Sequence, residues 1–294
     1  MATSQGSNDA VVAACRRLDR GIVAGIPEDV VVESASTTGL WARVTVEVHG
    51  ATSIGIAYCG GPNTRAWDAA LAHASTSGVS AGLALEEVPG RTLAEVAGEF
   101  LATSDSAARG LGMAAVNAWY SARDVATGNG FVPTGGEQPV GQRADWSQVF
   151  DPFKDVIAGK TVAVIGHHPA APSALDSAAS FHMLEVPAAF GQLPPAAEFI
   201  VGHCDVVFIS GSAFINGSAA RLIELARNSY CAVIGPSSPL ASELFAHDVD
   251  LVAGIVADDA RGMDRALAGS LYPTMFTYGY RVHRAEPAGS SVLD

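Results

Sequence analysis

The second half of the chain is a series of short, wholly apolar runs, each followed by a turn and a helical segment. Strands that are apolar on both faces and separated by helices are typical of a parallel sheet with helices on both sides. We therefore predict a Rossmann-like, doubly wound α/β domain over residues 148–285. Its strands are expected at 161–166, 181–186, 205–210, 231–235 and 250–256.

The first part of the chain is patterned differently. Gly39 and Gly50 separate three β-rich runs, at 30–38, 41–49 and 53–59, as hairpin connections require. Helical segments at 8–20, 91–101 and 105–123 lie before and after them, with Asp105 or Ser104 as the cap of the last one. The pattern predicts a small α+β domain with three antiparallel strands over residues 8–125.

Two further segments complete the predicted organisation. Residues 126–147 are rich in glycine, proline and polar residues without a sustained period, which indicates a linker or a surface excursion. Residues 286–294 are expected to form a flexible tail. A chain of 294 residues is long enough for about two domains.

Composition excludes several classes of function. A net charge of −13 and the lack of a lysine- or arginine-rich run argue against nucleic acid as a partner. Four cysteines without a C-x-x-C pair suggest neither a zinc ribbon nor a disulfide framework. The N-terminus has no apolar signal core, and no run reaches the ~18 apolar residues of a spanning helix. We expect a soluble cytoplasmic protein with no membrane partner, and association into a homo-oligomer is left open.

Polar residues and glycines follow the predicted parallel strands where each strand ends. Ligands of open α/β sheets gather beyond the carboxyl ends of the strands. We expect these segments to converge on one edge of the sheet: Gly166-His167-His168-Pro169, Glu185, Ser210-Gly211-Ser212, Gly235-Pro236-Ser237-Ser238 and Gly254.

The loop after the first parallel strand argues against a dinucleotide. Glu185 lies about twenty residues beyond it, where a ribose-binding acid would be. However, the window from Gly166 reads GHHPAA and lacks the glycines that let a backbone approach a pyrophosphate. Neither NAD nor FAD is expected as a cofactor.

An ordered set of motifs carries a family resemblance. The segments IGHHP, LEVP, DVVFISGSAFINGS, VIGPSSPL and DVDLVAGIV, with GLGMAAVNAW earlier in the chain, resemble the putative heavy-metal chelation family. That resemblance implies an enolase-N-terminal-like domain followed by a Rossmann-like domain, with a cleft between them. It further implies that the cleft draws on Asn117, His167, Glu185, Ser212, Asn216 and Ser237.

His167, His168 and Glu185 are the candidate metal ligands. Two imidazoles and one carboxylate suit a divalent transition metal, whose identity the sequence leaves open. Adjacent residues of an extended segment point in opposite directions, so one histidine is expected to face the cleft. The alternatives are a loop-bracing hydrogen bond for His167 and a helix-capping or His167-orienting role for Glu185.

The candidate ligand-binding residues are Asn117, Ser212, Asn216, Ser237 and Ser238. Asn117 lies in a small, apolar helix, where a buried amide needs partners. Asn216 either orients a ligand or caps the following helix, and the two serines either begin the helix of PLASELF or present N–H groups to an anion.

Three classes of function remain. The protein binds a metal ion or metal chelate in the cleft, or it is an enzyme acting on a small anionic metabolite, or it is a non-catalytic sensor or scaffold. In the second class His167 and Glu185 are the catalytic candidates, with His167 as acid or base. The family resemblance favours the first class, with a small molecule or metal as the ligand.

Overall fold

The computed structural model describes residues 3–38, 40–59, 85–134, 149–150, 153–166, 168, 171–185, 190–268 and 272–286. The fold is mixed α/β, as predicted, with a three-stranded antiparallel sheet and a seven-stranded, mostly parallel sheet. The predicted tail beyond residue 286 and residues 135–147 of the predicted linker lie outside the described residues. The domain boundaries stay predictions.

The first sheet has the three predicted antiparallel strands, β1 (Val32–Thr38), β2 (Trp41–Val48) and β3 (Ala51–Tyr58). His49 and Gly50 both have positive φ and form the two-residue turn between β2 and β3. Among the described residues, four helices accompany this sheet: α1 (Thr3–Val23), α2 (Leu93–Leu101), α3 (Ser106–Tyr120) and α4 (Arg123–Gly128). Asp105 is the N-cap of α3, and its Oδ1 accepts a 2.8 Å hydrogen bond from the backbone N–H of Ala108.

The second sheet contains the five predicted parallel strands and two antiparallel ones. They are β4 (Val132–Pro133), β5 (Thr161–Ile165), β6 (Ser180–Leu184), β7 (Val206–Ser210), β8 (Tyr230–Ile234), β9 (Leu251–Ala257) and β10 (Gly279–Ala285). Their spatial order is β4-β10-β9-β8-β7-β5-β6. The antiparallel pairing of β10 with β9 and β4 was not predicted from the sequence.

Short helices cover this sheet: α5 (Lys154–Ile157), α6 (Ala171–Ala174), α7 (Pro195–Val201), α8 (Ser212–Ile215), α9 (Ala219–Leu225) and α10 (Ala260–Ala268). The first three parallel strands along the chain are β5, β6 and β7, and in the sheet β5 lies between β6 and β7. The direction of winding thus reverses between β5 and β7. Ligands of open α/β sheets bind beside the carboxyl ends of the strands at such a switch point.

The two faces of the parallel sheet pack against different partners. Ala163 and Ile165 of β5 join the large core that also contains α1, α2 and α3. The alternate residues, Val162 and Val164, pack in a second cluster with Phe150. A third cluster joins the first sheet to β9, α10 and the 3₁₀ segment Tyr272–Thr277. Apolar packing therefore holds the two sheets together.

Two details differ from the expectations. Gly254 lies in the middle of β9 and not at a strand end, because that strand continues to Ala257 to pair with β10. Ser237 and Ser238 do not begin a helix, since the helix that follows is a 3₁₀ helix, Ser242–His247, whose N-cap is Ala241. Across the part of the chain that the structure describes, no helix combines the length and apolarity needed to cross a bilayer.

Candidate functional site

The switch point between β5 and β7 brings two strand ends into close contact. Gly166, directly after β5, has a φ of +102°, and a Cβ at this position would lie 2.8 Å from Cβ of Ser210. Its N–H donates a 2.9 Å hydrogen bond to the carbonyl of Leu184, which keeps β5 paired with β6 up to the residue before Glu185. Only glycine fits this position, because the positive φ is unfavourable for other residues and because Ser210 leaves no room for a Cβ.

The loop after β7 is held by hydroxyl groups and contacts the loop after β8. Ser212 Oγ donates a 3.1 Å hydrogen bond to Ser210 Oγ, and the Ser212 N–H lies 3.4 Å from the same oxygen. A Cβ on Gly211 would collide with backbone atoms of Ser237 and Ser238. The structure thus brings Ser212, Ser237 and Ser238 together at this edge.

The free edge of β3 reaches the same place from the other sheet. β3 is the last strand of its sheet, and the Cys59 N–H donates to Leu40 on the β2 side. Alternate residues of a strand present their N–H and C=O groups to opposite edges, so those of Ile56 and Tyr58 point outward. Ile56 O accepts a 2.9 Å hydrogen bond from Asn117 Nδ2, and the Tyr58 N–H donates to Ser237 Oγ, also at 2.9 Å. Asn117 and Ser237 therefore occupy consecutive outward positions of β3.

Two buried polar atoms near this edge have no hydrogen-bond partner among the described residues. They are Oδ1 of Asn117 and Oγ of Ser238, and each residue is only 1% exposed. A buried polar group without a partner costs about 1–3 kcal/mol, so such atoms are rare unless something else satisfies them. Both residues were among the candidates from sequence.

The side-chain oxygen of Asn216 is engaged within its own loop. Its Oδ1 accepts hydrogen bonds from the Ser218 N–H at 3.0 Å and from Ser218 Oγ at 2.6 Å. Ser218, and not Asn216, is the N-cap of α9, so these hydrogen bonds order the loop that leads into that helix. A role for Asn216 in binding a ligand stays a prediction.

The predicted metal ligands are differently placed. His167 lies outside the described residues. The His168 ring is buried and meets the Phe150 ring edge to face, with centroids 5.8 Å apart, in the cluster on the sheet face away from α3. Glu185 is exposed after β6. Within the described ranges, no three His, Cys, Asp or Glu side chains form a group able to hold a metal ion.

The four cysteines are buried and not grouped with one another. Cys15 lies in α1 and Cys231 in β8, whereas Cys59 and Cys204 lie in loops. Burial raises the pKa of the Cys15 and Cys59 thiols to about 12 and that of Cys204 to about 11, and it also raises the pKa of Cys231. In the metal-free protein the thiols are therefore protonated near neutral pH, and their burial keeps them from reagents in solution.

Sequence reasoning missed Arg109, which is fully buried in α3. Its guanidinium forms a 3.0 Å ion pair with Asp19 of α1 and lies 5.0 Å from the centre of the Phe190 ring. Burial raises the pKa of Asp19, and the charge of Arg109 acts against that rise. Arg109 also donates to the carbonyls of Leu101, Thr103, Phe214 and Ile215. The one available signal was a lone charge in the apolar run SAARGLGMAAV.

These features define a two-sheet α/β protein in which the edge of an antiparallel sheet meets the carboxyl ends of a Rossmann-like parallel sheet. Residues 148–286 match the family model described as putative heavy-metal chelation, which confirms the resemblance over this part of the chain. The family's description associates it with heavy-metal chelation.

Two crystal structures of proteins of unknown function from the same family share the fold. The protein from Desulfitobacterium hafniense has a TM-score of 0.73 at 23% identity, over 93% of this chain and 99% of that one. The protein from Pyrococcus horikoshii has a TM-score of 0.64 at 16% identity, over 94% of this chain and 100% of that one. No curated protein matches the chain.

Proposed function

We propose that the protein binds a heavy-metal ion, held in a small anionic chelate, where the free edge of β3 meets the carboxyl edge of the parallel sheet. The observation that carries this proposal is the pair of buried, unpartnered polar atoms, Asn117 Oδ1 and Ser238 Oγ, beside the switch point of the described sheet. A bound molecule with its own polar groups would satisfy both atoms. The description of the family supports a metal as part of that molecule.

A chelate fits this edge better than a bare ion. The side chains gathered here are hydroxyls and an amide, which bind organic polar groups well but are poor ligands for heavy metals. The four cysteine thiols are buried, so they are not presented to an incoming ion. A protein with a net charge of −13 attracts cations and repels free anions, so an anionic chelator arrives more easily when a metal has reduced its charge.

In this proposal His167 and Glu185 complete the coordination of a metal whose other ligands belong to the chelator. An imidazole and a carboxylate leave positions open for such ligands, as in a site that receives a ligand. Ser212 and Ser237 support the two loops at the edge through the hydroxyl contacts described above. His168 has no part in it, because its ring packs in the apolar cluster around Phe150.

Calorimetric titration tests the proposal. Zn²⁺, Ni²⁺, Co²⁺ and Cu²⁺ are added to the protein, first as free ions and then as citrate complexes. We expect the complexes to bind more tightly than the free ions. His167→Ala and Glu185→Gln should each weaken binding by about 10- to 100-fold while leaving the melting temperature of the ligand-free protein nearly unchanged.

His203→Ala and Glu86→Gln are the matched controls, since both side chains are exposed and lie on other elements. Neither control should alter binding. If the His167 and Glu185 variants bind as tightly as the wild type, or if no metal in either form binds at all, the proposed function is wrong.

A further inference from the structure

The orientation of the Asn117 amide is fixed by its one hydrogen bond. Nδ2 donates to Ile56 O at 2.9 Å, and a backbone carbonyl can only accept. The NH₂ group must therefore face Ile56, and the oxygen must be the end that is left over. That oxygen is buried, and no described residue donates to it.

Only certain chemical groups can be the partner of this oxygen. An amide oxygen is an acceptor only, so it needs an N–H or O–H group, or a cation, as its partner. Amide oxygens suit hard cations such as Mg²⁺ and Ca²⁺, whereas heavy metals prefer nitrogen and sulfur ligands. A hydrogen-bond donor is therefore the partner that fits both the residue and the family's association with heavy metals.

Ser238 supplies the complementary group. Tyr58 is the next outward-facing residue of β3 after Ile56, and its N–H is bonded to Ser237. The residue after Ser237, Ser238, has a buried hydroxyl with no described partner. A hydroxyl can donate to a carboxylate oxygen, and a hydrogen bond to a charged group is stronger than one to a neutral group. The edge thus offers an acceptor and a donor from neighbouring elements.

We propose that the chelator bound here is a small carboxylic acid with a hydroxyl or amino group next to its carboxylate. The hydroxyl or amine donates to Asn117 Oδ1, and a carboxylate oxygen accepts from Ser238 Oγ. Such α-hydroxy and α-amino acids chelate a metal through the same two groups. A hydroxyl or amine that gives its lone pair to the metal keeps its hydrogen and becomes a stronger donor. This inference rests on the proposed function and names the class of chelator.

Three four-carbon dicarboxylic acids separate this class from other acids. Malate carries a hydroxyl group, aspartate an amino group, and succinate neither. Each is titrated into the wild type and into Asn117→Ala, alone and with one equivalent of Ni²⁺. The intrinsic stability of each nickel complex is the same in both experiments, so it cancels when the two proteins are compared.

We expect wild type to bind the malate and aspartate complexes at least about 10-fold more tightly than Asn117→Ala does, which is the effect of one buried hydrogen bond. Succinate binding should change by less than about 2-fold. Ser238→Ala should weaken all three acids alike. Asn129→Ala is the control, because Asn129 Nδ2 bonds only at 3.3 Å to Leu240 O, in the loop after β8.

Each other outcome overturns the inference. If Asn117→Ala weakens all three acids equally, or none of them, Asn117 does not recognise a donor, although a chelate still binds and the proposed function stands. If neither the acids nor their nickel complexes bind wild type, the proposed function fails as well. Should Asn117→Ala not fold, Ser238→Ala alone decides, since unaltered binding in that variant contradicts the carboxylate contact.

Discussion

Replacing either of two adjacent serines in the loop after β8 by alanine should change the stability of the protein, in opposite directions. Ser238 Oγ is buried without a described partner, so Ser238→Ala removes an unsatisfied group from the ligand-free protein. Ser237 Oγ accepts the Tyr58 N–H at 2.9 Å, so Ser237→Ala removes a hydrogen bond between the two sheets. We expect Ser238→Ala to stabilise the protein and Ser237→Ala to destabilise it, each by about 1–2 kcal/mol.

The corresponding shifts in melting temperature are measurable. An unfolding entropy of about 2 cal/mol/K per residue gives about 0.6 kcal/mol/K for a chain of this length. A change of about 1–2 kcal/mol therefore moves the midpoint by about 2–3 °C in either direction. Differential scanning calorimetry of wild type and both variants would show two midpoints on opposite sides of the wild-type value. A midpoint lowered in Ser238→Ala as much as in Ser237→Ala would mean that the Ser238 hydroxyl has a partner, and would refute the reasoning.

Three further results follow from packing and burial. A Cβ on Gly55 would collide with backbone atoms of α3, so Gly55→Ala should lower the free energy of unfolding, measured by urea denaturation, by about 2 kcal/mol or more. Gly128→Ala, whose Cβ would meet nothing within 4 Å, should leave it nearly unchanged, and equal effects would contradict the tight β3–α3 contact. All four thiols should react with a disulfide reagent only after denaturation, and rapid labelling of the native protein would contradict their burial and raised pKa. Burial lowers the pKa of His283 from its ordinary 6.5, so the folded state binds fewer protons and stability falls as the pH drops through that value. Urea midpoints at pH 7.5 and 5 should therefore differ less in His283→Gln than in wild type, and a parallel fall in both would show that His283 contributes nothing.

The sequence predicted both sheets because their patterns depend on local rules. Runs such as TVAVI and VVFIS are apolar on both faces, and their strands are buried on both faces of the parallel sheet. The short turn at His49-Gly50 and the cap at Asp105 are equally local, and the structure has both. β10 was missed because Gly279–Ala285 mixes polar and charged residues, and its pairing with β9 depends on tertiary contacts.

The candidate site was predictable in part for the same reason. Strand ends are visible in the sequence, so Ser212, Ser237 and Ser238 could be assigned to one edge before any contact was known. The hydrogen bonds from Asn117 to Ile56 and from Tyr58 to Ser237 depend on how β3 lies against α3 and the parallel sheet. No spacing rule gives such contacts, which join residues 61 and 179 positions apart.

The buried guanidinium of Arg109 draws its partners from both halves of the chain. Its partner Asp19 leaves the ribosome long before it, but the carbonyls of Phe214 and Ile215 are made about a hundred residues after it. Asp19 and the carbonyls of Leu101 and Thr103 precede Arg109 in the chain, but its set of hydrogen-bond partners is complete only when α8 has been synthesised. The enclosure of this guanidinium is therefore built from both halves of the chain, and no N-terminal fragment that ends before α8 contains all of it.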